Sequence, residues 1–95
     1  MSPYKVRPLN GGVQHLYRFD NGYGASVIRH SGSYGYDEGL WELGVIRYTN
    51  GDNYLLDYDT GITDDVIGHQ TEEEIEALLV QIKALVPIHT GDLHD

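Results

Sequence analysis

Gln14-His15-Leu16-Tyr17-Arg18-Phe19-Asp20-Asn21-Gly22-Tyr23-Gly24-Ala25-Ser26-Val27-Ile28-Arg29-His30 sets two runs rich in aromatic and β-branched residues on either side of an Asn-Gly step. That arrangement predicts a β-hairpin, because a two-residue type I′ turn needs positive φ at both central positions and Asn and Gly tolerate it. Centred on Asn21-Gly22, the turn pairs Phe19 with Gly24, Arg18 with Ala25, Tyr17 with Ser26 and Leu16 with Val27. A second hairpin is predicted from residues 40–48 and 53–58 about Asn50-Gly51, pairing Arg47 with Tyr54, Val45 with Leu56 and Leu43 with Tyr58. Period-2 alternation then puts Trp41, Leu43, Val45, Tyr54, Leu56 and Tyr58 on one face, the core face, and Glu42, Gly44 and Asp57 on the other.

Something must cover that face, and the segment after residue 70 supplies it. Thr71 with Glu74 three residues on forms a capping box, Glu72 and Glu73 complement the positive end of the helix dipole, and Pro87 stops the helix near Val86. Ile75, Leu78, Leu79, Ile82, Leu85 and Val86 recur at helical spacing as one apolar stripe. The expected fold is α+β, a four-stranded antiparallel meander of two hairpins packed on one C-terminal helix, within a single domain of residues 13–87. Residues 1–12 read as an N-terminal arm, with residues 4–9 able to add a short strand. Residues 59–70 read as a connection and 88–95 as a flexible tail. Ala77, Val80 and Ala84 lie off the main stripe and offer a second contact, which keeps a homodimer open.

Composition narrows the function classes. The 95 residues carry 6 Lys+Arg against 15 Asp+Glu, a formal charge of −9, which argues against direct binding of nucleic acid phosphates. The imbalance is one-sided: residues 1–50 hold five basic and four acidic side chains, whereas residues 51–95 hold Lys83 against eleven carboxylates. With no Cys, disulfides, thiolate metal sites and cysteine nucleophiles are excluded. No stretch approaches the roughly 18 apolar residues of a membrane span, so a soluble, cytoplasmic protein is expected, with no membrane partner and no cofactor. The 12 Gly and 8 Tyr cluster together, as in Tyr34-Gly35-Tyr36, and point to turns and close backbone approaches rather than a linker.

Five sets of residues are candidates for chemistry. His89, Asp92, His94 and Asp95 could chelate a metal, but they sit in the tail with no scaffold to fix them. His15 and His30, set diagonally by the first hairpin's expected register, offer a two-histidine phosphoesterase site, although such histidines are followed two residues on by Thr or Ser and His15 is followed by Tyr17. Arg18 and Arg29, with Tyr34 and Tyr36 of the loop 31–39, offer a cationic and aromatic site for a nucleotide phosphate. The carboxylate pairs Asp37-Glu38 and Asp64-Asp65 read as solvated surface acid. Arg47 is expected to form a cation–π pair with Tyr54.

The last set is the acidic second half. Asp52, Asp57, Asp59, Asp64, Asp65, Glu72, Glu73, Glu74 and Glu76 lie on the second hairpin, the connection and the first helical turns, which the expected fold brings to neighbouring surface. Such a surface, flanked by Tyr34 and Tyr36, can occupy a groove built for phosphates, because carboxylates offer the same Arg and Lys side chains comparable charge and acceptors. Acidity that serves only solubility is the plainer alternative.

Residues 17–30, the Gly39-Leu40-Trp41-Glu42-Leu43 segment and the Ile62-to-Gly68 run before a Thr-Glu-Glu-Glu helix resemble a group of small uncharacterised acidic proteins of tailed bacteriophages. The likeness spans roughly residues 15–86 and transfers no site residue. It implies a class of task, since small phage proteins made early in infection commonly bind and disable host restriction, CRISPR or signalling defences. The resulting expectation is a non-enzymatic phage protein that inhibits a host defence complex in the host cytoplasm by direct contact through the acidic surface. Two alternatives stand beside it: a sponge that sequesters a nucleotide immune signal through Arg18, Arg29, Tyr34 and Tyr36, and a small phosphodiesterase that degrades such a signal through His15 or His30.

Overall fold

The structure is a computed structural model that describes residues 1–33, 35–63 and 65–87. It is α+β: an antiparallel sheet covered on one face by a single helix. The strands are β1 (Lys5–Leu9), β2 (Gly12–Arg18), β3 (Tyr23–Arg29), β4 (Trp41–Asn50), β5 (Asn53–Leu56) and β6 (Ile67–Gln70), followed by α1 (Glu72–Lys83). Four strands follow the expected meander. The two others lie in the arm, which contributes β1, and in the connection, which contributes β6. Both β5 and β6 pair with the same edge of β4, end to end, so the spatial order β1-β2-β3-β4-β5 has β6 as a second neighbour of β4. The two rims of this sheet are poor templates for further pairing. β1 carries Lys5, Arg7 and Pro8, and β5 and β6, which share the other rim, are four residues each with an irregular register against β4.

Both hairpin registers differ from expectation by one residue. In the first, Arg18 pairs with Gly24, Tyr17 with Ala25, Leu16 with Ser26 and His15 with Val27. Its loop holds three residues, Asp20-Asn21-Gly22: Gly22 N donates to Phe19 O at 3.1 Å, and Phe19 N donates to Tyr23 O at 2.8 Å. Only Gly22 has positive φ (91°), so Asn21 is free to use its side chain elsewhere. In the second hairpin Asn50 pairs with Asn53 around Gly51-Asp52, and an irregularity between Tyr48 and Asn50 leaves Tyr48 opposite Tyr54 and Ile46 opposite Leu56.

One slipped residue exchanges faces. Val13, Tyr17, Ala25, Val27, Trp41, Leu43 and Val45 form the core with Ile75, Leu79 and Ile82 of α1, but Tyr54 and Leu56 lie on the opposite face and Leu56 is 51 % exposed. Asp57, expected opposite the core face, sends its carboxylate to Arg47 Nε at 3.5 Å. The helix-free face has its own small cover: Leu16 and Ile46 are buried there, with Tyr4, Tyr48 and Tyr54 in edge-to-face contact above the sheet.

α1 begins as expected, with Thr71 and Glu74 in a reciprocal capping box. It ends earlier than Val86. The last regular residue is Lys83, and Ala84 and Leu85 close the end with tighter bonds to Gln81 O (3.2 Å) and Ile82 O (3.1 Å). The cause is Asn21, 7 % exposed, whose Nδ2 donates to Ile82 O (2.8 Å), Lys83 O (3.2 Å) and Leu85 O (3.2 Å) while its Oδ1 accepts Tyr23 N–H at 3.0 Å. The first hairpin loop thereby caps the helix terminus, and Val86 is left 78 % exposed.

Candidate functional site

Where β2, β3 and β4 meet the start of α1, the sheet and helix diverge and leave a cleft of about 570 Å3. His15, Tyr17, Val27 and Trp41 form its sheet wall, Ile75 and Leu79 its helix wall, Glu72, Glu73 and Glu76 its rim, and Met1 and Pro3 one end. These side chains converge because alternate residues of β2 to β4 point to the helix side, and because the capping box starts α1 directly above Trp41, whose strand partner is Gln70.

Trp41 anchors the wall. The Arg29 guanidinium stands 4.5 Å over its ring and donates from Nη1 to Gly39 O at 3.1 Å, while the His15 ring lies 5.1 Å away at a 42° tilt. The indole is 7 % exposed, and its Nε1–H is buried without a hydrogen-bond acceptor among the described residues. Burial, and secondly the Arg29 charge, hold His15 below its ordinary pKa of 6.5, so its imidazole is neutral at pH 7. Burial, and secondly the Glu76 carboxylate, push the Tyr17 phenol upward.

The carboxylates expected to act together divide into separate groups. Asp52, at the β4–β5 turn, accepts from Tyr4 Oη at 2.7 Å and Arg18 Nη1 at 3.3 Å and lies 3.9 Å from Lys5 Nζ. The Tyr4 hydrogen bond lowers its pKa against the opposing effect of desolvation, and Lys5 and then Arg18 add to the lowering. Asp57 is neutralised by Arg47, Glu74 is spent on the Thr71 backbone, and Glu76 pairs with the Met1 amino group. Asp59 donates its backbone N–H to Asp57, and Asp65 accepts from Val66 N, both on the exposed connection. Glu72 and Glu73 remain exposed, with no hydrogen bond or ion pair to a described residue. Distance separates the groups as well. Gln70 and Asn53 partner the first and last residues of the ten-residue β4, so the Glu72–Glu73 turn and the Asp52 turn stand about 30 Å apart along the sheet. They also stand on opposite faces, because Asp52 joins Arg18 on the side away from α1.

The other candidate sets are not assembled either. Arg18 and Arg29 lie on opposite faces of the sheet and about 17 Å apart along β3, since Arg18 pairs with Gly24 and Arg29 with Val13. Arg18 stacks 4.3 Å over Tyr48 and 5.5 Å over Tyr4, taking the cation–π role expected of Arg47. His15 sits opposite Val27 rather than Ile28 and turns toward Trp41, whereas His30 Nδ1 accepts Gly32 N–H at 2.9 Å within its own turn. Tyr36 stands exposed on a single 3-10 turn, Tyr36–Glu38, and Glu38 pairs with His69 at 3.5 Å. Tyr34, Asp64, His89, Asp92, His94 and Asp95 lie outside the described residues. Among the described residues no group of three His, Asp or Glu is placed to hold a metal, and no helix is long and apolar enough to cross a membrane.

The two residues that matter most here, Trp41 as the cleft wall and Asn21 as the helix cap, were expected only as core and turn. The available signal for Trp41 was its place as the chain's one Trp, at the sheet end where the helix begins. The chain matches no protein-family model, no curated protein and no solved structure.

Proposed function

We propose that the protein is a non-enzymatic binding protein that inhibits a host defence complex, of CRISPR or restriction type, by direct contact in the host cytoplasm. The contact surface is the acidic mouth of the helix–sheet cleft, Glu72 and Glu73, and not the whole run of carboxylates from Asp52 to Glu76. One observation carries the choice of surface: these two carboxylates are exposed and uncompensated above an aromatic cleft, while Asp52, Asp57, Glu74 and Glu76 are already engaged. The partner class is supported by the sequence likeness to small phage proteins. A basic surface of the kind that grips nucleic acid is the complement the two glutamates select.

The test is co-purification of tagged protein with host complexes at stepped ionic strength. Association is expected to weaken steeply from low to high salt and to be lost in Glu72→Lys/Glu73→Lys, whereas Asp52→Asn, altering the paired carboxylate at the far end, leaves it intact. Salt-independent capture, or equal loss in Asp52→Asn, would refute the assignment.

A further inference from the structure

We infer that the cleft beneath Glu72 and Glu73 seats a basic peptide segment of the partner, its cationic side chain against the two carboxylates and one of its backbone carbonyls on the Trp41 indole N–H. This rests on the binding surface proposed above and specifies what enters it.

Three observations converge. The cleft volume of about 570 Å3 falls in the range of roughly 300–1,000 Å3 usual for ligand sites, and its walls are mainly aliphatic and aromatic, suited to the methylene stem of Lys or Arg. Its rim presents two uncompensated carboxylates, and the neutral His15 adds no opposing charge at pH 7. The cation in the lining, the Met1 amino group, is already taken by Glu76, and Arg29 is not part of the lining and is held on Gly39 O.

The third observation separates a peptide from a simple cation. Trp41 Nε1–H is a buried donor with no acceptor among the described residues, a deficit that folded proteins rarely leave in place. A polyamine can answer the glutamates but has no acceptor for the indole. A peptide brings both groups at once, the cation on its side chain and the carbonyl on its backbone. Nε1 is covered in the free protein, so the carbonyl reaches it when the side chains around Trp41 change rotamer, an adjustment common at interfaces.

The experiment uses the full chain and a fluorescein-labelled, end-capped Gly-Arg-Gly-Arg-Gly peptide followed by anisotropy, with unlabelled spermidine as competitor and a Glu-for-Arg peptide as control. Binding of the basic peptide is expected to fall in Glu72→Gln/Glu73→Gln. In Trp41→Phe it should fall about 5- to 10-fold, the worth of one hydrogen bond, with spermidine affinity unchanged. If Trp41→Phe does not fold, the single indole N–H resonance of the native protein serves instead, and it should move downfield with peptide but not with spermidine. Equal effects on peptide and spermidine, or an unmoved indole resonance, would overturn the seating of a peptide while glutamate dependence upholds the binding surface. Indifference to both glutamates would overturn both.

Discussion

Asn21→Ala should uncouple the helix end from the first hairpin. The native side chain makes its amide available to three carbonyls at 2.8 to 3.2 Å and accepts one backbone N–H at 3.0 Å, all from a position 7 % exposed. Truncation takes the Oδ1 acceptor from Tyr23 N–H and the side-chain donor from three carbonyls, of which Ile82 O keeps Leu85 N–H at 3.1 Å, and leaving a part-buried polar group unpaired costs about 1–3 kcal/mol. We expect a loss of roughly 2 kcal/mol, which for a domain of this size is a fall in Tm of about 10 °C. Asn21→Asp changes shape less and should cost more, because it turns a carboxylate toward three carbonyl oxygens at the negative end of the helix dipole. Thermal and urea unfolding followed by circular dichroism measure both. An Asn21→Asp protein as stable as the native one, or an Asn21→Ala loss below about 0.5 kcal/mol, would show that the helix end does not depend on this contact.

Two further outcomes follow from packing and titration. In Gly24→Ala the new Cβ would stand 1.9 Å from Tyr17 O and 2.9 Å from Tyr48 Cε2, and since the first obstacle is backbone, a loss of about 3 kcal/mol or more is expected in urea titrations. A fully folded, equally stable variant would contradict that close approach. His15 is held below 6.5 in the folded state, so between 6.5 and its folded value the unfolded chain binds the extra proton and stability falls as pH falls. Urea midpoints compared at about pH 7.5 and about pH 5.5 should show a smaller drop for His15→Gln than for the native protein, and identical drops would refute the assignment.

The three Asn-Gly steps explain how far the sequence could be read. All were legible as turns, but each is used differently. Asn10-Gly11, with φ of 46° and 80°, is a two-residue reversal between Leu9 and Gly12. At 21–22 the loop takes in Asp20, because burying the Asn21 amide against the helix end favours an ordinary negative φ there; at 50–51 the turn moves on to Gly51-Asp52. Each change shifts a register by one residue, and neither is visible locally, since the deciding partners of Asn21 lie at residues 82–85. The start of α1 was legible because Thr71 and Glu74 cap it within four residues. The cleft was not, because its walls come from three strands and a helix, and the acidic set was over-read because pairing with Arg18, Arg47 and Lys5 depends on strand order rather than on spacing along the chain.

The two rims of the sheet set a limit on how this protein meets its own copies. A rim bearing Lys5, Arg7 and Pro8, and another shared end to end by two four-residue strands, β5 and β6, each with an irregular register, give an incoming strand no continuous, uncharged ladder. High expression therefore does not by itself invite strand-by-strand growth into fibres, and contact between two copies is left to side-chain surfaces rather than to edge pairing.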